Sequence, residues 1–166
     1  HARYISLFLA LTLLVHVVLA GFVVYVDPFQ VIHKAYDPAR GLSANHSALW
    51  RSKASLLAYD MADRMRANRV GLADGHYNSL LNVNAPSCGS GSACSPANMA
   101  LLDHAQWADV LADELPSGDG VVCLDSSPDD GSPAAPACDG SGSMLVVKVF
   151  WREKGVDARF ALPVRP

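Results

Sequence analysis

Asp125, Asp129, Asp130 and Asp139 crowd carboxylates into one Pro/Gly/Ser-rich stretch of this 166-residue chain, with Ser126 and Ser127 among them. Gathered carboxylates suit a hard cation such as calcium, but the EF-hand spacing is absent, so the stretch reads as a solvated acidic loop. A serine becomes a nucleophile only beside a positioned base. No strand-to-helix elbow surrounds Ser126 or Ser127, and both read as surface-loop residues. His1, His16, His33, His46, His76 and His104 are scattered, and none forms the i, i+4 pair of a zinc-binding helix. These residues supply no catalytic constellation, metal site or cofactor site, and the chain reads as non-enzymatic.

The cysteines carry a different chemistry. Cys88, Cys94, Cys123 and Cys138 are even in number and sit in Gly/Ser/Pro-rich loops or at strand edges. With no Cys-x-x-Cys and no His pair nearby, zinc is a poor fit. An exported domain permits disulfides. Three pairings are possible; the local pairs Cys88 with Cys94 and Cys123 with Cys138 are the simplest.

Export is implied by the first segment. Ile5 to Val26 contains no charged residue and is long enough to cross a hydrocarbon core of roughly 30 Å as a helix. A cleaved signal ending near Val18-Leu-Ala20 is the competing reading, but the apolar run continues past that point to Val26, which favours an anchor over residues 1–26. Arg3 before the run and Asp27 after it place the N-terminus in the cytoplasm and the rest beyond the membrane. The net charge of -3 argues against a nucleic-acid partner.

Asp27-Pro28, Asp37-Pro38 and Gly41 make residues 27–45 an extended or turned connector, because proline disfavours helix in the residue before it. Ser43 and Asn45 are candidate caps for an amphipathic helix from Trp50 to Arg69. Trp50, Ala54, Leu57, Ala58, Met61 and Met65 line its apolar side, and it ends near Val70-Gly71. A second helix starts at Ser95-Pro96, serine as cap and proline as first helical residue, and runs to about Leu115. Gly120 to Leu124 and Met144 to Trp151 are strands, the latter rich in β-branched and aromatic residues, and Val156 to Leu162 returns as a hairpin partner. The hairpin is the expected cover for the apolar side of the first helix. Alternation puts Phe150 and Trp151 on opposite sheet faces, so one alone is expected to lie deep.

The run Ala62-Asp-Arg-Met-Arg-Ala-Asn-Arg69 resembles the signature of the type IV pilus modification proteins called PilV, a family of minor pilins. Around it, Ser47 to Asp60 resembles the family's first helix, Gly75-His-Tyr-Asn78 its short step, and Cys94-Ser-Pro96 with Asp103-His-Ala-Gln-Trp107 its second helix. Leu115-Pro-Ser-Gly-Asp-Gly120, Val121-Val-Cys123, Cys138-Asp-Gly140 and the strand Val146 to Trp151 resemble its turn and sheet. The resemblance spans roughly residues 46–162. It implies an α+β, pilin-like fold: a membrane helix and an amphipathic helix packed on a small antiparallel sheet, with residues 46–166 as the head. It also implies a structural role in pilus assembly or modification, with major and minor pilins, the assembly machinery and the inner membrane as partners. The head would lie in the periplasm, or at the cell surface once assembled. Trp50, Arg64, Met65, Arg66 and Arg69 are the candidate interaction residues on the helix; Arg64, Arg66 and Arg69 equally read as a solvated helix end that complements the dipole.

The first 45 residues differ from the pilin pattern: position 5 is Ile where the family carries Glu, and no Gly-Phe-Thr-Leu-x-Glu string occurs. Val26-Asp-Pro-Phe-Gln30 and His33-Lys34 faintly resemble the entry to membrane-anchored acyltransferases, which makes an enzyme fragment of that type an alternative. A periplasmic adhesion or binding module using the loop from Asp125 to Ser143 is another.

Overall fold

The computed structural model describes residues 11–14, 16, 38–88 and 93–165. The chain divides into two units, His1–Ala44 and Asn45–Pro166. Most of the expected anchor, with Asp27-Pro28, lies outside the described residues; of that run, residues 11–14 and 16 are helical. No helix among the described residues is long and apolar enough to cross a membrane.

The second unit is an α+β arrangement. Helix α1 covers Pro38–Ala67, of which residues 45–67 belong to this unit, the short α2 Arg69–Ala73 and α3 Pro96–Glu114. Strands β1 (Asp119–Leu124), β2 (Leu145–Glu153) and β3 (Val156–Val164) form an antiparallel three-stranded sheet in the order β1-β2-β3. Register pairs Val122 with Val147 and Val149 with Phe160.

Residues 38–45, expected as extended or turned connector, are helical instead, and Ser43 and Asn45 are interior to α1 rather than caps. Proline is tolerated in a first helical turn, where its missing N–H would have had no partner. The other end also differs. α1 stops at Ala67, and Asn68 leaves helical geometry at φ -93°, ψ 63° to cap α2, its side chain accepting from the Gly71 amide. An asparagine whose side chain replaces a backbone acceptor starts a new helix where a continuing one was expected.

Ala54, Ala58, Met61, Ala62 and Met65 of α1 are fully buried. The hairpin was the expected cover, and α3 shares that role. Trp107 and Leu111 of α3 join Leu145, Val147, Val149 and Trp151 of β2 in one core with these α1 residues. The Trp107 indole N–H donates to the Leu57 carbonyl (2.8 Å), tying α3 to α1. Gly120 makes this packing possible: a Cβ there would sit 2.4 Å from the Trp107 ring.

The expectation that one of Phe150 and Trp151 would be shallow is corrected, since both are buried. Trp151 faces the helices. Phe150 packs with Val121, Cys123 and Cys138 in a second small core on the other face. The stretch after β1 folds back over that face, so the sheet is covered on both sides.

Candidate functional site

The residues singled out in sequence separate into a helix junction, a disulfide-bound loop and an outward helix face.

At the junction, the signature run knits α1 to the rest of the head. Asn68 Nδ2 donates to the Pro96 carbonyl (2.8 Å) and to the Tyr77 hydroxyl (3.1 Å), and the Tyr77 hydroxyl donates to Asp103 Oδ2 (2.5 Å). The last distance is that of a charge-assisted hydrogen bond. Burial, reinforced by the bond to Asp103, pushes the Tyr77 phenol well above its ordinary value. Arg64 Nη1 donates to Gln106 Oε1 (3.1 Å), and its Nε pairs with Asp60 (2.9 Å) one turn earlier. Asn78 Oδ1 accepts from the Leu124 amide (2.9 Å), carrying the network to the sheet edge. The Cys88–Cys94 disulfide closes the chain just before α3. A groove of about 290 Å³ lies here, lined by Arg64, Asn68, Met99 and Asp103 among others. These contacts hold the fold. Met65, expected among the interaction residues, is fully buried and has no surface to offer a partner. Arg64 is turned onto α3, and Trp50 packs at the core margin with the Lys53 ammonium 5.4 Å from its ring centroid.

The loop between β1 and β2 is pinned by the Cys123–Cys138 disulfide. It was expected to be a solvated acidic loop, and Asp129 and Asp139 are exposed as expected, but Asp125 and Asp130 gather around a buried cation. Lys148, fully buried in the middle of β2, pairs with Asp125 and Asp130 (2.8 Å) and donates to the Pro136 carbonyl (2.9 Å). A buried ammonium is tolerable only when its N–H groups are satisfied in this way. Burial pulls the Lys148 amine down, but the bonds to Asp125 and Asp130 outweigh it and raise it above its ordinary value. The same bond, with one from Ser127, holds the Asp130 carboxyl below its ordinary value. Asp129 pairs with Arg159 of β3 (3.0 Å). Ser126 donates to Asp139, and Ser127 donates to Asp130 (2.8 Å). Both serine hydroxyls thus serve loop carboxylates. One signal was visible in sequence: a lysine inside an apolar strand run is seldom buried unless paired.

The outward face of α1 carries Leu49 and Leu56, 49% and 69% exposed, with Tyr59 at 51%. Leu49 and Leu56 stand seven residues apart and share a face, roughly opposite the buried Ala54, Ala58, Met61 and Met65. Sequence reading missed these leucines, because the apolar positions on the other side accounted for the pattern. Arg66, paired with Asp63 (2.7 Å), and Arg69 are exposed near the C-terminal end of the helix.

Among known proteins, a family model described as Tt1218-like, type IV pilin Tt1218, matches residues 39–105. The match runs from α1 through α2 into the first half of α3, and it supports a type IV pilin family. No curated protein and no solved structure matches the chain.

Proposed function

We propose, on the premise of that type IV pilin similarity, that this chain is a minor-pilin-like structural subunit. It takes part in pilus assembly or modification, with other pilins and the assembly machinery as partners. In this reading residues 1–26 anchor the chain in the inner membrane, the head stands in the periplasm, and assembly carries it to the pilus. The signature run lies within the matched segment, which supports a pilin; the finer PilV assignment rests on the sequence resemblance.

The observation that carries the reading is the two-sided α1. One side is buried in the head; the other presents Leu49, Leu56 and Tyr59 to solvent. A helix already packed on one side, with a second apolar stripe at heptad spacing, suits lateral packing against further helices. Arg66 and Arg69 are the charged contacts proposed near its C-terminal end. The disulfide-bound loop, kept in shape by Lys148, is the part proposed to face outward at the fibre surface or tip.

The test is composition. Sheared pilus fractions are expected to contain this chain beside the major subunit. Recovery in the inner membrane alone refutes the proposal.

A further inference from the structure

His104 sits in α3 where the helix meets β1 and the segment 77–83. It is 1% exposed, and among the described residues neither ring nitrogen has a hydrogen bond of good geometry. Trp107 packs edge-on against the ring at 5.6 Å. The backbones of Leu80 and Gly120 and the charge of Asp119 act on it from the segment and from β1, and they offset burial only in part. On its own helix, Asp103 is engaged by Tyr77 and does not serve the imidazole. A charge arriving at this ring is favoured by these groups less than burial disfavours it.

Beside the ring lies a sheet edge. The Leu80 amide donates to the Val122 carbonyl (3.2 Å) in an isolated bridge, and Asn78 holds the Leu124 amide. Segment 77–83 thereby covers the outer edge of the C-terminal half of β1.

We propose that His104 is an acid-sensitive latch: neutral, it fills the junction and holds segment 77–83 on β1; protonated, it loosens that segment and bares the Val122–Leu124 edge. A bared edge is a row of unpaired donors and acceptors, the surface on which another strand adds. Burial lowers the imidazole below its ordinary value. The unfolded or opened junction therefore binds the proton more readily than the closed one. The closed state is fully favoured above the ordinary histidine value, near 6.5, and loses ground as the pH falls below it.

The experiment is residue-resolved amide exchange on the full chain at pH 7.5, 6.5 and 5.5, corrected for intrinsic rates. Protection at the Leu80 and Leu124 amides is expected to fall by up to about tenfold per pH unit below 6.5, while the β2–β3 ladder falls less. His104→Phe is expected to flatten this dependence, and His104→Gln provides the non-titrating control should the Phe variant fail to fold. Flat protection in the natural chain, an equal fall across the whole sheet, or an unchanged pH dependence in the folded variant overturns the latch.

Discussion

Replacing Lys148 with Ala is expected to unhinge the covered face of the sheet. The ammonium is the shared partner of Asp125, Asp130 and the Pro136 carbonyl, and Asp125 lies buried beneath the loop. Asp125 Oδ2 has no other partner among the described residues. Removing the amine strands this carboxylate away from water, and breaking a buried pair from one side costs about 3–5 kcal/mol. The half-exposed Asp130 adds little, because solvent screens it. Urea denaturation followed by far-UV circular dichroism, with disulfides intact, measures the loss. The double variant Lys148→Met with Asp125→Leu is expected to recover much of it, since an apolar pair of similar volume often replaces a buried ion pair without penalty. A loss under about 1 kcal/mol for Lys148→Ala, the range of surface ion pairs, would mean that the ammonium is solvated and would refute the account of the loop.

Two further outcomes concern the contacts that set the helices. Asn68→Ala removes the α2 cap and the bonds to Pro96 and Tyr77; a loss of about 1–2 kcal/mol is expected in the same assay, and no loss would detach the signature run from the fold. Glu153 is held below its ordinary value first by the Ser47 hydroxyl and then by the Trp151 indole. Its contribution is present above the ordinary glutamate value and is lost as the pH falls through the lowered one. Ser47→Ala is therefore expected to flatten the acid limb of the stability profile, read as melting temperature between pH 6 and pH 3.

Elements with a strong local signal were legible before any coordinates. The β-branched run of β2 and the Ser95-Pro96 start of α3 fall where residue preferences put them. The start of α1 was not legible, because Pro38 breaks a helix or opens one depending on which side the turn forms, and local sequence does not decide it. That Phe150 and Trp151 are both deep, and that Lys148 is buried, was not legible for a different reason: the loop that folds across the second sheet face covers Phe150 and Lys148, a long-range event outside any local window. The same limit explains Leu49 and Leu56. An exposed leucine means little by itself, and these two gain meaning only once Met61 and Met65 are placed on the opposite side of the helix. The signature run was legible as a motif, but its work inside the fold appears only when Asn68, Tyr77 and Asp103 are seen in contact.

The most direct test of the central claim places charge on the outward face of α1. Leu49→Glu with Leu56→Glu changes exposed positions, so circular dichroism and melting temperature are expected to stay within the small range of surface substitutions. The account expects the natural chain in sheared pili and the double variant at least tenfold depleted there while still present in the membrane fraction. Equal recovery of the folded double variant in pili would contradict it.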